Sequence, residues 1–315
     1  MPQGIDDALL IYNLASGRRR RRRFSEIERA ARILDDAGIT TELAPTNGPG
    51  TATRIARLAV KHRRGMVIAC GGDGTINEIV NGLARSPVPM ALLPAGTANI
   101  LAKELSVPWD IPHAARLIPE GVIRRIALGI AIPSGESHSE TIPHAGRYFL
   151  CVAGAGPDGA IVEAVHEGLK KSTGILAYWA EGLRQLVRYD FPEIRVHSAG
   201  QERLATIIVV GRTANYGGPF KITTGASLFE DSFEMLTNSA KSRLHYLKCL
   251  PALWLGKLRD EERIEAWKAT EALCEPAGTQ AVYAQVDGEP IGRLPLTFRI
   301  VPDALSIVTP AALKT

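Results

Sequence analysis

The chain has 315 residues, 45% of them hydrophobic, which is enough for about two domains with large cores. A net charge of +4 excludes the strongly basic profile of a dedicated nucleic-acid-binding protein and suits anionic small molecules or a lipid surface. Four scattered cysteines without a C-x-x-C pair argue against disulfides and a zinc site. Because the start is acidic and no apolar run approaches the ~20 residues of a membrane span, we expect a cytoplasmic protein whose membrane contact, if any, is peripheral at the inner face.

The first part of the chain alternates between predicted strands and helices. Apolar runs bounded by turn residues predict strands at 8–13, 40–44, 66–70 and 89–93. Apolar residues at helical spacing predict helices at 24–37, 51–60, from 76 onward and at 100–105. This alternation predicts an α/β domain over residues 1–126, with a parallel sheet covered by helices and every glycine-rich loop at one edge of that sheet.

Beyond Ile126 the pattern changes to closely spaced, strand-like runs. These are predicted at 124–132, 148–152, 194–197, 204–211, 233–236, 264–267, 281–286, 296–300 and 304–308. Helical stretches interrupt them at 160–188 and 243–258, and the polar segment 135–146 is predicted to be a loop. Residues 127–315 are therefore predicted to form a strand-rich domain, a sandwich or a barrel, whose last residues are free to pack back on the first domain.

The loop Gly71-Gly72-Asp73-Gly74-Thr75 joins a predicted buried strand to a predicted helix. Glycine lets a ligand approach main-chain N–H groups closely, and a helix N-terminus favours phosphate. The carboxylate of Asp73 could hold Mg²⁺ or a hydroxyl beside a phosphate, or Asp73 could be the N-cap of a tight turn.

Two other loops that follow predicted strands offer hydrogen-bond donors. They carry Asn13, Ser16 and Gly17 after the first strand, and Gly96, Thr97 and Asn99 after the fourth. None of the three loops has the P-loop pattern, and a dinucleotide-binding fingerprint is weakly supported. The three loops together are candidates for a nucleotide site.

Four motifs resemble those of the diacylglycerol kinase catalytic family, which includes bacterial soluble lipid kinases, sphingosine kinases and ceramide kinases. The segment Gly71–Gly82 looks like the family's signature loop, and Leu93–Asn99 is similar to its P-x-G-T-x-N motif. Asn13–Gly17 resembles its N-P-x-S-G loop with Leu14 in place of proline, and Val286–Glu289 resembles its D-G-E motif. The motifs occur in the family's order and span nearly the whole chain.

This resemblance implies a first domain of the NAD kinase and diacylglycerol kinase type, a lipid-binding β-sandwich as the second domain, and ATP and Mg²⁺ as cofactors. Asp73 is expected near the phosphates, as a metal ligand and as a catalytic group. Glu78 could instead be a first-turn acid of its helix, and Glu289 a hairpin residue. The residues expected around the nucleotide are Asn13, Ser16, Gly17, Thr46, Gly72, Gly74, Thr75, Glu78, Gly96, Thr97, Asn99, Gly288 and Glu289.

In this family the catalytic base is expected from an aspartate in a D-G turn, and that D-G pair is absent here. Ungapped matching places Glu230 at the base position, and a shift of one residue places Asp231 there. Either residue could instead be a solvated turn residue. Asp158, in a segment that resembles the family's G-x-G-x-D-A turn, could face the substrate alcohol or cap the following helix.

Two segments bear on membrane contact. The run Arg18–Arg23 could be a solvated approach to the first helix or a contact to anionic lipid, worth about 1 kcal/mol per residue, with only Arg18 or Arg19 near ATP. The segment 244–258 could be a lipid-facing helix, although its pattern is more typical of a core helix.

The sequence therefore predicts a lipid kinase that transfers the γ-phosphate of ATP to a hydroxyl of a diacylglycerol-like or sphingoid lipid. Expected partners are ATP, the lipid and, peripherally, an anionic membrane; a homodimer is compatible with the sequence, and nucleic acid is not expected. One alternative is an NAD kinase, which shares the G-G-D-G-T loop, although the other motifs speak against it. A second alternative is a non-catalytic, nucleotide-regulated lipid-binding protein, which is consistent with the missing D-G turn.

Overall fold

The structure, a computed structural model, describes residues 4–17, 20–134, 146–168, 189–217 and 220–313. The chain divides into two compact units, Met1–Leu128 with Pro302–Thr315, and Gly129–Val301. Most of the predicted loop at 135–146 and the part of the predicted helix after residue 168 lie outside the described residues. Outside them too are Arg18, Arg19, Gly218 and Pro219.

The first unit contains a parallel sheet. Its strands are β1 (Asp7–Tyr12), β2 (Thr40–Pro45), β3 (Met66–Gly71) and β4 (Met90–Pro94), in the order β2-β1-β3-β4. The last strand of the chain, β18 (Leu296–Thr309), continues this order, with Ile307 parallel to Met90. β3 and β4 are buried along their whole length, as is typical of parallel strands covered by helices.

The described residues of the first unit form five helices: α1 (Arg20–Asp36), α2 (Thr51–Lys61), α3 (Asp73–Leu83), α4 (Ile100–Glu104) and α5 (Ile111–Leu117). In α1 the helical spacing of Ile27, Ala30 and Leu34 places all three side chains in the core. The sequence did not predict α5, although Asp110 is a signal for its start. The carboxylate of Asp110 accepts a hydrogen bond from the His113 N–H at 2.9 Å and caps the helix.

The second unit is built mainly from antiparallel strands, with the helices α6 (Pro157–Gly168) and α7 (Arg243–Trp254). A six-stranded sheet has the order β14-β13-β10-β7-β16-β17, made of Ile264–Ala269, Phe233–Asn238, Ile207–Gly211, Val152–Ala155, Tyr283–Val286 and Glu289–Arg293. A second set pairs β18, β15 (Glu271–Pro276), β8 (Ile194–Ser198) and β9 (Gln201–Ala205). The remaining strands are β5 (Val122–Pro133), β6 (Arg147–Phe149), β11 (Asn215–Gly217) and β12 (Phe220–Lys221).

Two of the predicted strands are interrupted by side-chain or long-range hydrogen bonds. The run 148–152 separates into β6 and β7, because the N–H groups of Leu150 and Cys151 donate to the carboxylate of Asp287. The run 204–211 separates into β9 and β10 at Thr206, which is fully buried and donates its N–H to the carbonyl of Asn238 at 2.7 Å. By contrast, the runs 296–300 and 304–308 form the single strand β18.

Strands β15 and β17 were not predicted. β17 contains a proline and a glycine, and β15 contains two glutamates and a proline, all of which are rare in strands. The predicted fold class, an α/β domain with a parallel sheet followed by a strand-rich domain, is confirmed. None of the described helices combines the length and the apolar character that a membrane crossing requires.

Candidate active site

Three loops follow β1, β3 and β4 at the carboxyl edge of the parallel sheet, as predicted. The Asn13 side-chain amide donates to the Thr75 hydroxyl at 3.3 Å, and its oxygen accepts from the Ala15 N–H at 2.8 Å. These bonds tie the loop after β1 to the first turn of α3. The structure therefore brings the loops of the predicted nucleotide site together within the first unit.

The glycines of these loops are required because the loops approach one another closely. A Cβ atom added to Gly96 would lie 2.4 Å from the Cα of Gly72. A Cβ atom on Gly17, where φ is +69°, would lie 2.4 Å from the carbonyl oxygen of Ala95. Any side chain at Gly17 or Gly96 would push the loops apart and change the positions of their N–H groups.

Asp73 accepts two main-chain hydrogen bonds at the start of α4. Its carboxylate oxygens lie 3.0 Å from the N of Asn99 and 2.8 Å from the N of Ile100. Asn99, in the left-handed region at φ 43°, accepts from the Gly96 N–H at 3.1 Å and donates to the Gly96 carbonyl at 3.2 Å. The Asp73 side chain thus joins the motif after β3 to the motif after β4, and the Asn99 side chain closes the turn of its own motif on Gly96.

Glu78 acts as an N-cap for a helix other than its own. Its carboxylate accepts from the N–H groups of Gly50 at 2.8 Å and Ala52 at 3.0 Å, at the start of α2. Gly50, the N-cap residue, has no side chain that could accept these hydrogen bonds, so Glu78 supplies the negative charge that a helix N-terminus favours. Both carboxylate oxygens of Glu78 thus already accept from main-chain donors, and its expected position near the phosphates stays a prediction.

The other predicted nucleotide residues of the first unit lie at the same edge of the sheet. Thr46 directly follows β2, and its N–H donates to the carbonyl of Tyr12 at 2.9 Å. Ser16 lies in the turn after β1, Gly74 in the first turn of α3, and Thr97 is exposed between β4 and α4. Among the described residues, no group of three or more potential metal ligands is clustered. The role of Asp73 as a Mg²⁺ ligand stays a prediction.

The arginine run is not entirely a surface cluster, because its last residue, Arg23, is buried. The Arg23 side chain donates to the carbonyl of Ala95 at 3.0 Å and lies 3.5 Å from the carboxylate of Glu26. Arg23 thereby supports the loop that contains Gly96. Arg22 is exposed, and Arg18 and Arg19 lie outside the described residues.

The second unit contains an apolar cavity of about 190 Å³. Its wall is formed by side chains from α6, β10, β13, α7 and β14, such as Ile161, Val209, Leu236, Leu253 and Ile264. Of the described residues that line it, the only carboxylate is Asp158, at the start of α6. An apolar cavity with one convergent acidic group is suited to a molecule with a hydrocarbon part and a hydroxyl.

The carboxyl of Asp158 is buried and held by two side chains. It accepts from the Tyr216 hydroxyl and, at 2.7 Å, from the Gln285 amide. Burial raises its pKa from 3.8 to about 6, and the hydrogen bond from Gln285 partly offsets that rise. The structure thus places the predicted substrate residue at the cavity, with a pKa close to neutral.

The D-G-E motif forms the turn between β16 and β17 and contains an organising residue that the sequence prediction left out. The Asp287 carboxylate accepts from the N–H groups of Leu150, Cys151 and Val152 at 2.8–2.9 Å. The Gly288 N–H donates to the Gln285 side chain at 2.8 Å, so the turn is linked to Asp158 through Gln285. The motif itself was a signal for Asp287, whereas nothing local in the sequence pointed to Gln285 or Tyr216.

Glu230 and Asp231 lie in the exposed loop before β13. The Glu230 carboxylate contacts the Lys268 ammonium and the Ser232 hydroxyl, and the hydrogen bond from Lys268 is the main reason that its pKa is lowered. The loop is held from inside by Arg212, which is fully buried and donates to the carbonyls of Leu228 and Glu230. Burial lowers the pKa of Arg212 to about 10. No motif in the sequence pointed to this role for Arg212.

Comparison with protein families identifies the chain. Residues 7–131 match the model of the diacylglycerol kinase catalytic domain, and residues 151–309 match that of the YegS C-terminal NAD kinase beta sandwich-like domain. The chain belongs to the diacylglycerol kinase catalytic-domain family. The resemblance seen in its four motifs is therefore confirmed, and the family is one of lipid kinases.

Relatives of this kinase-family member align over most of its length. The diacylglycerol kinase of Bacillus subtilis (strain 168) is 28% identical, with 92% of each chain covered. The diacylglycerol kinase of Staphylococcus saprophyticus is 27% identical, covering 98% of this chain and 96% of its own. Two crystal structures described as diacylglycerol kinases of Bacillus anthracis str. Sterne superpose on this chain. The first has a TM-score of 0.77 and covers 98% of this chain and 99% of its own. The second has a TM-score of 0.73 and covers 99% of this chain and 100% of its own. At 20% and 18% identity these two structures establish the shared fold.

Proposed function

We propose that this family member transfers the γ-phosphate of ATP, in the presence of Mg²⁺, to the hydroxyl of a diacylglycerol-like or sphingoid lipid. The observation that carries the proposal is Asp158, a buried carboxyl with a raised pKa that lines an otherwise apolar cavity. The names of the curated relatives, diacylglycerol kinase, support the same substrate class.

The nucleotide would bind at the three loops of the first unit. Main-chain N–H groups around Gly72 and Gly96 and the N-terminus of α3 suit phosphate oxygens, because donors and the helix dipole favour negative charge there. Bound Mg²⁺ would neutralise charge on the phosphates. Asp73 keeps these donors in position through its bonds to Asn99 and Ile100, and phosphoryl transfer depends mainly on such positioning.

The lipid would place its hydrocarbon part in the cavity of the second unit and its hydroxyl at Asp158. Each buried CH₂ group contributes about 0.8 kcal/mol, so affinity should rise with chain length until the cavity is filled. A carboxyl with a pKa of about 6 is mostly ionised at neutral pH and can accept a hydrogen bond from the hydroxyl.

Glu230 and Asp231 remain the sequence-based candidates for the catalytic base. Of the two, Glu230 is less suited, because its contact with Lys268 lowers its pKa and thereby weakens it as a proton acceptor. The missing D-G turn and this contact favour a second candidate function, a nucleotide-regulated lipid-binding protein without kinase activity.

The test is phosphate transfer from γ-labelled ATP with Mg²⁺ to mixed micelles that contain diacylglycerol, sphingosine, ceramide or monoacylglycerol. We expect one lipid to be labelled, and Asp158→Asn to lower the rate by about 10²-fold, because the hydroxyl loses its acceptor. The matched control is Asp260→Asn in the same unit, where the carboxylate is exposed and is not among the cavity-lining residues.

The outcomes separate the alternatives. Transfer to a lipid that is lost in Asp158→Asn but kept in Asp260→Asn supports the proposal. Bound ATP without transfer to any lipid would favour the non-catalytic alternative, and label on a nicotinamide dinucleotide would favour an NAD kinase. Loss of transfer in Glu230→Gln or in Asp231→Asn would identify the base.

A further inference from the structure

Helix α7 carries the largest group of exposed hydrophobic side chains in the described part of the chain. Of eleven large hydrophobic side chains that are exposed there, five lie between residues 244 and 255. They include the three most exposed, Trp254 at 69%, Leu255 at 68% and Leu244 at 60%, together with Leu247 and Leu250. Single exposed leucines are ordinary on a protein surface, whereas such a concentration marks an interaction site.

The opposite side of α7 is packed in the second unit. Tyr246 stacks on Phe191 with the ring centres 4.4 Å apart, and its hydroxyl lies 2.6 Å from that of Thr206. Cys249 and Leu253 line the apolar cavity. The helix is thus apolar on both sides, which in a helix of a folded unit indicates a second apolar environment outside it.

Leu250 connects the two sides of the helix. Its side chain lines the cavity, yet it is also one of the exposed hydrophobic residues. The cavity therefore reaches the protein surface next to the exposed leucines of α7. A molecule that comes from an apolar phase in contact with this surface could enter the cavity without crossing water.

The charges around α7 favour an anionic lipid surface over a second protein copy. Between residues 239 and 258 the chain has four cationic residues and no acidic residue: Lys241, Arg243, Lys248 and Lys257. Lys241 and Arg243 are paired with Glu193 and Asp190, respectively, on the protein surface. Lys248 and Lys257 are exposed in the same stretch as Trp254, a residue type that prefers the membrane–water interface. The acidic residues 260–262 follow shortly after this stretch and are not part of it.

We propose that the α7 surface, made of Leu244, Leu247, Trp254 and Leu255 with Lys248 and Lys257, docks on an anionic bilayer, and that lipid enters the cavity past Leu250. Insertion of the apolar side chains and attraction of the lysines to anionic headgroups act together at such interfaces. Docking itself is independent of catalysis, whereas the identity of the entering lipid as substrate rests on the proposed function.

Docking is tested by flotation of the full chain with vesicles of phosphatidylcholine, with or without phosphatidylglycerol, in the absence of nucleotide. We expect binding to the anionic vesicles only, and a loss of at least about tenfold when Leu244, Leu247, Trp254 and Leu255 are all changed to serine. The matched control is Leu204→Ser, at a similarly exposed leucine on β9 that is 49% exposed. Equal melting temperatures of the variants would show that the fold is retained.

A charge variant provides a second, independent measurement. Lys248→Glu with Lys257→Glu should lower vesicle binding in a salt-dependent manner, while Lys248→Arg with Lys257→Arg should keep it. Unchanged binding in both the serine and the glutamate variants would overturn the proposal. A stable dimer that the serine substitutions dissociate, without vesicle binding by the wild type, would also overturn it and make this face an interface between copies.

The entry route is tested by comparing two forms of the same lipid. The four-serine variant should phosphorylate lipid in detergent micelles at the wild-type rate and lipid in vesicles at least about tenfold more slowly. Leu250→Trp should slow both reactions, because it narrows the opening of the cavity. Equal loss in micelles and vesicles for the four-serine variant would overturn the route. If vesicle binding is intact and no lipid is phosphorylated in any form, the proposed function fails while the docking surface stands.

Discussion

The carboxylates of the two units are held in different ways. In the first unit, Asp73 and Glu78 each accept two main-chain N–H groups, at the starts of α4 and α2. In the second unit, Asp158 is held by the side chains of Tyr216 and Gln285 and lines an apolar cavity. The first pair is bound to backbone, and the third carboxyl is placed at a space that a ligand can fill.

Because of this difference, substitutions of Asp73 and Glu78 test another property than a substitution of Asp158. A carboxylate that is bound to main-chain donors shapes a loop, and its replacement changes the positions of other groups. A carboxyl in an apolar cavity carries an altered pKa, and its replacement changes the charge that a ligand meets. Substitutions in the first unit should therefore change loop positions and stability, whereas a substitution of Asp158 should change the pH dependence of stability.

The largest effect is expected for Gly96→Ala. The added Cβ would lie 2.4 Å from the Cα of Gly72, so the loops must separate, and misplacement by about 1 Å can cost about 10²-fold in activity. ATP affinity and phosphate transfer should both fall by about that factor, measured by calorimetry and by label transfer. Gly278→Ala is the control, because no atom lies within 4 Å of its added Cβ. Equal ATP affinity in Gly96→Ala and wild type would contradict the close approach.

Asp158→Asn should change how stability depends on pH. The pKa is raised from 3.8 to about 6 in the folded state, so the folded protein keeps a proton that the unfolded chain releases in this range. The stabilisation that belongs to this group is complete below about pH 4 and is lost as the pH rises through about 6. Between pH 4 and pH 8 the free energy of unfolding of the wild type should therefore fall by on the order of 3 kcal/mol more than that of the variant. Urea unfolding at several pH values measures this, and parallel curves would refute it.

Asp73→Asn should lower both stability and activity. The asparagine can accept only one of the two hydrogen bonds from Asn99 and Ile100 and turns an N–H group toward the other, at a cost of about 1–3 kcal/mol. Thermal unfolding and ATP binding measure the two effects. The control is Asp110→Asn at the N-cap of α5, where asparagine caps as well as aspartate. A stability equal to that of wild type in Asp73→Asn would contradict the loop-shaping role.

The smallest effect is expected for Glu78→Gln. It removes the charge at the N-terminus of α2 and one of two acceptors, which costs about 1 kcal/mol of unfolding free energy. ATP affinity should change by only a few-fold, because the carboxylate is already occupied by main-chain donors. An effect on ATP binding as large as that of Gly96→Ala would show instead that Glu78 contacts the nucleotide.

Much of the fold could be predicted because it depends on local pattern. The first four strands and four helices follow from apolar runs and helical spacing, which the chain expresses within about ten residues at a time. The exceptions include β15 and β17, whose own residues disfavour strands, and the short elements β11, β12 and α5. β17 contains proline and glycine, and it forms because β16 supplies a pairing partner. α5 is short and depends on its cap at Asp110.

The candidate site was predicted only as far as its motifs extend. The three glycine-rich loops and Asp158 were predicted from residues that are close together in sequence. Gln285 and Tyr216 could not be predicted, because they meet Asp158 only when β16, β11 and α6 come together across separations of 58 to 127 residues. The structural roles of Arg212 and Arg23 were missed for the same reason. Each is buried because its guanidinium group donates to main-chain carbonyls that are distant in sequence.

The sequence by itself determined the family, the first four strands and four helices of the first unit, and the loops at the edge of the parallel sheet. Each of these depends on residue type at fixed spacing. The tertiary structure decided which groups surround each carboxylate and which side of α7 is exposed. Burial and hydrogen-bond partners come from contacts between distant segments, and a helix that is apolar on both sides has no pattern that distinguishes its packed side from its exposed side.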